Sequence, residues 1–316
     1  MTDLFLIGSA TDVMLERLAA QFTIHRIGDM DDPQAWLAEH GDKITYVGTN
    51  GHDGLKPAYM DAMPNLKAIS CYGVGYDAID TSAAKAKGIV VTHTPNVLNA
   101  EVATTTVLLM LACYRELLRD DAYVRAGRWE TDGNSALTRS ADNQTVGILG
   151  LGRIGQAIAD KLAPWGTKIV YHSRSEKDVD YTYYGDLVEM ARDVDTLVCI
   201  TPGGAATNKI VNTDVINALG PQGTLINVSR GSVVDEAAMI AALQDGRLGW
   251  AGLDVFEGEP HVPEALRKLD NVVLLPHVGS ATHDTRAAMG ALTVDNLLQH
   301  LKDGTVISPV PECADM

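Results

Sequence analysis

Short apolar runs alternate with amphipathic stretches along almost the whole chain, and this alternation restricts the folds available to it. The first runs predict strands at Leu4–Gly8, Thr23–Ile27, Thr45–Val47, Leu66–Ser70 and Ile89–Thr92. A second series predicts strands at Val146–Leu149, Lys168–Tyr171, Thr196–Ile200, Thr224–Val228, Trp250–Leu253 and Asn271–Leu275. Strands that alternate with helices form βαβ units, so the pattern predicts an α/β fold with two Rossmann-like domains and parallel sheets.

Two long helical stretches indicate how the chain passes between the domains. Asn99–Gly127 is helix-like and contains no proline, so it would leave the first domain, and the amphipathic stretch Arg286–Asp303 would return to it. The second domain, residues 99–286, is therefore predicted to be inserted in a discontinuous domain made of residues 1–98 and 287–316. The length of 316 residues suits two domains of ordinary size.

The charge and the cysteines exclude several classes of protein. A formal net charge of −16 argues against nucleic acid or an anionic membrane as a partner. No apolar run is long enough for a membrane span, and no basic segment precedes an apolar stretch near the N-terminus. The four cysteines are far apart in sequence, so neither a zinc site nor a redox pair is predicted. We expect a cytoplasmic protein that binds any anionic ligand through local arginines and backbone N–H groups.

The segment after the predicted strand Val146–Leu149 carries the pattern G-x-G-x-x-G, with glycines at Gly150, Gly152 and Gly155. Gly150 permits a tight turn, Gly152 lets the backbone approach a pyrophosphate, and Gly155 lets the following helix pack close to the strand. The helix N-terminus, with the amides of Arg153 and Ile154, would meet the anion. The segment predicts a dinucleotide site. A similar G-x-G at Cys71–Asp77 lacks a following helix and is interpreted as a loop that exposes backbone N–H groups.

The end of the next strand selects the cofactor. An NAD site usually has an acidic residue there to bind the ribose 2′-hydroxyl. This chain has Ser173 and Arg174 instead, and its first carboxylate is Glu176. A serine and an arginine can bind a 2′-phosphate, which favours NADPH over NADH. The alternative is a basic surface loop without a ligand.

Three polar segments each end a predicted strand in the second domain. Arg230 follows a buried strand and precedes a glycine, so it could hold a substrate carboxylate, although a structural salt bridge would also explain it. Asp254, Glu257 and Glu259 follow the next strand, and His277 follows the last. A histidine paired with one of these carboxylates would have an oriented ring suited to proton transfer.

The glycine loop and the stretches NVSRGSVVDE, GLDVFEGEP and LPHVGSAT, in this order and spacing, resemble the D-isomer-specific 2-hydroxyacid dehydrogenase family. The resemblance covers nearly the whole chain. The stretches HSRS, YTYYGDLVEMA and NVVLLPHVGSATHDTR look most like the NADPH-dependent glyoxylate/hydroxypyruvate and hydroxyphenylpyruvate reductases of that family.

The resemblance implies a role for each strand-end residue. Arg230 would bind a 2-oxo acid and polarise its carbonyl, and His277 would protonate the carbonyl oxygen as hydride arrives from nicotinamide. Glu259 would support His277, and Asp254 would hydrogen-bond the nicotinamide carboxamide. Glu257 has no counterpart and is interpreted as a surface acid.

Other residues take implied roles from the same resemblance. Asn50 and Gly51 would face the substrate, and the amides of Val74 and Gly75 would bind its carboxylate. Pro202 and Thr207 match residues that contact the cofactor in the family. Thr104 would lie near the cofactor, with a less defined role. Trp129 would belong either to a homodimer contact or to the core.

We expect NADPH-dependent reduction of a small 2-oxo acid, glyoxylate or hydroxypyruvate, to the D-2-hydroxy acid. An arylpyruvate such as hydroxyphenylpyruvate is the alternative substrate. A corepressor of the same fold, in which dinucleotide binding controls partner association, is the alternative from another class.

Overall fold

Five parallel strands form the sheet of the first unit. In the computed structural model, which describes residues 1–316, they are β1 Thr2–Leu6, β2 Phe22–Arg26, β3 Ile44–Asn50, β4 Ala68–Tyr72 and β5 Val90–Thr92. Their order is β2-β1-β3-β4-β5, and every pair is parallel. The direction in which strands are added reverses between β1 and β3. Ligands of open α/β sheets bind outside the carboxyl ends of the strands at such a reversal.

The second unit has a seven-stranded sheet. Its strands are β6 Thr145–Leu149, β7 Lys168–His172, β8 Thr182–Tyr183, β9 Thr196–Cys199, β10 Thr224–Asn227, β11 Trp250–Leu253 and β12 Val272–Leu274. The order is β12-β11-β10-β9-β6-β7-β8, again parallel throughout. The reversal here lies between β6 and β9. The prediction of two Rossmann-like parallel sheets is confirmed, whereas the two-residue β8 was not predicted.

Helices connect the strands. They are α1 Asp12–Ala19, α2 Pro33–His40, α3 Pro57–Asp61, α4 Thr81–Ala86, α5 Asn99–Tyr114, α6 Leu117–Arg125, α7 Arg128–Asp132, α8 Arg153–Leu162, α9 Leu187–Asp193, α10 Thr213–Leu219, α11 Glu236–Asp245, α12 Glu264–Arg267 and α13 His283–Asp303. Many begin at a side chain that accepts first-turn N–H groups, as Asp235 does for α11 and Thr282 for α13. Gly152 begins α8 with no side-chain cap.

The segment 99–127 is helical, but not continuously. Helix α5 ends at Tyr114 and α6 begins at Leu117. Between them Glu116 has φ 44°, and the chain turns again at Gly127 with φ 70°. These left-handed conformations break the run of helical hydrogen bonds, and the absence of proline gave no indication of them.

The chain divides into two units, Met1–Leu98 with Ala281–Met316, and Asn99–Ser280. Each has its own apolar core, built on β1, β3 and β4 in the first unit and on β9, β10 and β11 in the second. All four cysteines are buried and none forms a disulfide. None of the helices has both the length and the apolar composition that crossing a membrane requires.

Candidate active site

The glycine turn lies at the reversal of the second sheet. Gly150 follows β6 with φ 104°, which an L side chain rarely adopts, and a Cβ on it would lie 2.9 Å from the backbone nitrogen of Thr201, after β9. The Gly150 N–H donates to the carbonyl of His172 at the end of β7, at 2.9 Å. The turn is thus fixed between its two neighbouring strands by backbone contacts alone.

The other two glycines of the motif have opposite surroundings. A Cβ on Gly155 would lie 2.5 Å from the carbonyl oxygen of Gly150, so the glycine lets α8 pack against the turn. A Cβ on Gly152 would meet no atom within 4 Å, and its φ of −98° is open to any residue. Packing within the chain therefore explains why position 155 is a glycine, but it does not explain the glycine at position 152. Open space before an uncapped helix N-terminus is the arrangement that a dinucleotide pyrophosphate requires, so these residues fit the cofactor.

Ser173 and Arg174 come directly after β7, beside this turn, because Leu149 and His172 are partners in the sheet. The Ser173 hydroxyl donates to the carbonyl of Ser175 at 2.6 Å. Arg174 is exposed and forms no ion pair within the chain. An unpaired guanidinium beside the turn is available to a phosphate.

The loop after β9 is closed by its own side chain. The Thr207 hydroxyl donates to the carbonyl of Pro202 at 2.7 Å. Pro202 itself is exposed, and Gly203 and Gly204 lie between the two residues. Thr207 thus shapes the loop in which Pro202 lies, at the edge that carries Gly150.

Asn227 builds the turn that carries Arg230. The side chain of Asn227 is buried; its Nδ2 donates to the carbonyl of Arg230 at 2.9 Å, and its Oδ1 accepts the N–H and the hydroxyl of Ser229. The Arg230 guanidinium, half-buried, donates to the Ser229 carbonyl at 2.8 Å. A Cβ on Gly231 would overlap the carbonyl group of Phe256, so only glycine lets this turn lie against the loop after β11.

Asp254 joins the loop after β11 to the loop after β12. It is 2% exposed, and its two carboxylate oxygens accept the N–H groups of Val278 and Gly279, each at 2.7 Å. Its carbonyl accepts the N–H of His277 at 2.8 Å. Burial raises the pKa of the Asp254 carboxyl above its usual value, although the two amide donors act in the opposite direction.

His277 and Glu259 form the hydrogen-bonded pair that the sequence predicted. The Nδ1 of His277 lies 2.8 Å from Oε2 of Glu259, whose Oε1 accepts the N–H of Phe256 at 3.0 Å. A carboxylate only accepts, so Nδ1 carries the proton and Nε2 points away from the pair. The His277 side chain is 44% exposed and that of Glu259 only 18%. The pair therefore presents an oriented, accessible imidazole backed by a sheltered carboxylate.

His277 has φ 55°, an uncommon backbone conformation for a residue other than glycine. It persists because Asp254 accepts three consecutive N–H groups, those of residues 277–279. Such conformations cluster at functional sites.

In the first unit, Asn50 ends β3 and Gly51 follows it, at the reversal of the sheet. The Asn50 Oδ1 accepts the N–H groups of His52 and Asp53, and its Nδ2 donates to the Asp53 carboxylate at 2.7 Å. A Cβ on Gly8, which follows β1, would overlap the Asn50 amide. The side chain of Asn50 thus orders its own loop.

Residues 73–75, here called the β4 loop, follow the adjacent strand. The N–H and carbonyl of Gly73 both pair with Thr94, and the Val74 carbonyl pairs with His93. The N–H groups of Val74 and Gly75 make no hydrogen bond within the chain. These are the two amides that the sequence assigned to a carboxylate.

Three other residues that the sequence analysis named lie outside the groups described above. The Thr104 hydroxyl donates to the Ala100 carbonyl of its own helix at 2.9 Å. Trp129 is 61% exposed, so it is not a core residue. Glu257 forms an ion pair with Lys209 at 3.4 Å, which agrees with a surface acid.

Sequence reasoning did not single out Asn227 or His93. Both are polar residues that are almost completely buried, 1% and 4% exposed. An asparagine that ends an apolar strand was the available signal for the first. For His93 there was no signal, because its partner Val74 follows the neighbouring strand β4 and comes close only when β4 and β5 pair.

A glycine turn at the reversal of a parallel sheet, with a histidine–carboxylate pair at neighbouring strand ends, defines a dinucleotide-dependent oxidoreductase. The family model for the NAD-binding domain of D-isomer specific 2-hydroxyacid dehydrogenases matches residues 107–279. The chain belongs to the D-isomer-specific 2-hydroxyacid dehydrogenase family, as the sequence predicted.

Individual relatives match over nearly the whole length. Hydroxyphenylpyruvate reductase of Plectranthus scutellarioides is 44% identical over 93% of this chain and 94% of its own. Glyoxylate/hydroxypyruvate reductase A of Arabidopsis thaliana is 45% identical over the same shares, 93% and 94%. The structure of the NADPH-dependent glyoxylate/hydroxypyruvate reductase of Sinorhizobium meliloti, in complex with NADP and malonate, is 46% identical, with 99% of this chain and 98% of that chain covered and a TM-score of 0.93.

Proposed function

We propose that this protein reduces a small 2-oxo acid, glyoxylate or hydroxypyruvate, to the D-2-hydroxy acid with NADPH. The observation that carries the proposal is the His277–Glu259 pair at 2.8 Å, whose Nε2 is left for a substrate. A corepressor of this fold would need the dinucleotide turn but no oriented proton donor. The pair therefore favours an enzyme.

In the second unit, His277 acts as the general acid. Protonated on both nitrogens, it gives the Nε2 proton to the substrate carbonyl oxygen, while Glu259 stabilises the positive ring through Nδ1. Arg230 binds the 2-oxo acid and polarises its carbonyl, because its guanidinium is a fixed positive charge. A bound NADPH supplies the hydride. His277 then recovers its proton from solvent.

The first unit contributes binding groups. The amides of Val74 and Gly75 hold the substrate carboxylate, and Asn50 and Gly51 border the substrate. We assign the unit made of residues 1–98 and 281–316 to the substrate domain and residues 99–280 to the cofactor domain, so the second boundary lies six residues before the one predicted from the sequence, 286. The chain has a net charge of −16. Its anionic ligands are bound by Arg230, Arg174 and backbone N–H groups, so the overall charge does not prevent binding.

The cofactor site includes the whole glycine turn, with the amides of Arg153 and Ile154 directed at the pyrophosphate. Ser173 and Arg174 bind the 2′-phosphate, and Pro202 and Thr207 line the site from the loop after β9. Asp254 binds the nicotinamide carboxamide. The two Asp254 oxygens already accept one N–H each, and each retains a lone pair for this contact.

An arylpyruvate is the second candidate substrate. A relative named hydroxyphenylpyruvate reductase matches this chain as well as a glyoxylate/hydroxypyruvate reductase does, at 44% and 45% identity.

We infer that the protein is a homodimer. Large apolar side chains are exposed along the segment 117–137: Leu117, Leu118, Val124, Trp129 and Leu137. Monomers rarely expose so many in one stretch, and a second copy would cover them. Light scattering after gel filtration should give twice the monomer mass, and Trp129→Glu with Leu137→Glu should lower it. Four buried cysteines, none of them in a disulfide, suit a reducing compartment, and we propose the cytoplasm.

Steady-state kinetics test the proposed reaction. Glyoxylate, hydroxypyruvate and 4-hydroxyphenylpyruvate are each supplied with NADPH and with NADH. We expect the highest kcat/KM for one of the first two acids with NADPH. If none of the acids oxidises either cofactor, the proposed function is wrong; preference for the arylpyruvate would select the second candidate.

A further inference from the structure

The β4 loop is held by two consecutive residues that follow β5. The Gly73 N–H donates to the Thr94 hydroxyl at 3.1 Å, and the Gly73 carbonyl accepts the Thr94 N–H at 2.8 Å. The Val74 carbonyl lies 2.9 Å from Nδ1 of His93. The carbonyls of Gly73 and Val74 therefore both accept hydrogen bonds within the chain. The N–H groups of Val74 and Gly75 make none and remain available to a ligand.

The contact between His93 and Val74 fixes the direction of a neighbouring donor. The Val74 carbonyl and the Gly75 N–H belong to one planar trans peptide, so they point in opposite directions. A carbonyl only accepts, so Nδ1 of His93 carries the proton. Holding the carbonyl therefore aims the Gly75 N–H away from His93. A hydrogen bond to the carbonyl also polarises the peptide and strengthens its N–H as a donor.

His93 is itself fixed in place. It is 4% exposed, and its backbone N–H and carbonyl pair with the carbonyl and hydroxyl of Ser308, at 3.1 and 2.7 Å. The Oδ1 of the buried Asn296 accepts the Ser308 N–H at 3.0 Å. The ring of Tyr76 contacts the imidazole edge-on, with centroids 5.3 Å apart. The imidazole therefore acts as a rigid support.

We propose that His93 is a positioning residue for substrate binding: its Nδ1–H orients and polarises the Val74–Gly75 peptide so that the Gly75 N–H binds the substrate carboxylate. The inference rests on the proposed function, because it takes the β4 loop as the carboxylate site. His93 touches no reacting atom. Its loss should weaken substrate binding and leave the chemical step and the cofactor site unchanged.

Two polar variants separate the hydrogen bond from simple packing. In His93→Asn, the side-chain amide nitrogen lies near the former Nδ1 position and can still donate to the Val74 carbonyl. In His93→Gln, the amide lies near the Nε2 position and cannot. We expect His93→Asn to keep a KM for glyoxylate close to that of the unmodified protein. His93→Gln should raise it about three- to ten-fold, the range of one hydrogen bond, with kcat and the KM for NADPH unchanged.

Equal KM values in the two variants would overturn the proposal, since packing alone would then account for them. A parallel loss of kcat or of NADPH affinity would overturn it too. If His93→Gln does not fold, Ser308→Ala replaces it. That variant removes the hydroxyl's bond to the His93 carbonyl and the bond that the hydroxyl accepts from Nδ2 of Asn296. It should give a smaller rise in KM, whereas an unchanged KM would contradict the proposal.

Calorimetric titration with oxalate separates this inference from the proposed function. Oxalate carries the carboxylate but no reducible carbonyl. If no 2-oxo acid is reduced, the proposed function fails, yet oxalate binding that persists in His93→Asn and weakens in His93→Gln supports the role of His93. Binding of equal strength in both variants, or none to the unmodified protein, overturns it.

Discussion

Asp254 accepts the N–H of Gly279 through Oδ2 at 2.7 Å, from a loop that follows a different strand. Its other oxygen binds Val278, and its carbonyl binds His277. One buried residue, through its side chain and its backbone carbonyl, thus fixes the loop that carries the proposed general acid. The resemblance to relatives suggested a cofactor contact for Asp254, and the structure adds this structural role.

Asp254→Asn should destabilise the protein. An asparagine offers one acceptor and one donor to two N–H groups, so one of them loses its partner, at a cost of about 1–3 kcal/mol. The loss should depend on pH. Burial raises the folded-state pKa of Asp254 above its usual value, so the protonated carboxyl favours folding at low pH. That contribution is lost as pH rises from the unfolded pKa through the raised folded one.

The difference in unfolding free energy between the unmodified protein and Asp254→Asn should therefore narrow as pH rises from 4 to 8. Urea unfolding at several pH values measures it. Asp270→Asn, at an exposed position outside this network, is the control and should show little change at any pH. A difference that widens with pH would contradict the assignment.

Much of the fold could be predicted because it follows from local patterns. The strand Trp250–Leu253 has the predicted bounds, and β6, predicted at Val146–Leu149, begins only one residue earlier, since turn residues delimit each apolar run. Strand β8 has two residues and no apolar run of its own, so no pattern marked it. Glu116 breaks the helical segment in a left-handed conformation that its residue type does not indicate.

Some residues of the candidate site could likewise be predicted from the sequence, and others could not. His277 and Glu259 could be predicted because residue types suited to proton transfer end neighbouring strands. The contacts of Asn227 and His93 could not, because they depend on loop conformation and on which strands become neighbours. Gly231 shows the same limit: its close approach to Phe256 arises only when β10 and β11 pair.

Gly152→Ala should separate cofactor binding from stability. The new methyl group meets no protein atom within 4 Å and φ is −98°, so the free energy of unfolding should change little. The same methyl group would occupy the space proposed for the pyrophosphate, so the dissociation constant for NADPH should rise at least ten-fold. Fluorescence titration measures it.

Two other glycine-to-alanine variants serve as controls for Gly152→Ala. Gly185→Ala, also in open space and in the same unit, should change neither stability nor affinity. Gly231→Ala should lower stability strongly, because its methyl group would overlap the Phe256 carbonyl. Unchanged NADPH affinity in Gly152→Ala would mean that the pyrophosphate lies elsewhere.

His277→Ala should lower kcat by ~10²–10⁴-fold, the usual scale for losing a general acid. Glu259→Gln should lower it by about ten- to a hundred-fold, as for residues that orient a catalytic group. Since Glu259 acts through His277, adding Glu259→Gln to His277→Ala should cost little more. Pre-steady-state rates of NADPH oxidation measure all three variants. Fully multiplicative losses would show that Glu259 acts independently of His277.

Arg174→Ala should raise the KM for NADPH about ten- to a hundred-fold, because a charge-assisted contact to the 2′-phosphate is lost. The KM for NADH should change less than two-fold, since NADH has no phosphate at that position. Arg174 is exposed and forms no ion pair within the chain, so unfolding should be unaffected. Arg192→Ala, another exposed arginine of the same unit, controls for the general loss of a positive charge. An equal rise for both cofactors would show that Arg174 binds a group that NADPH and NADH share, and the preference for NADPH would then need another source.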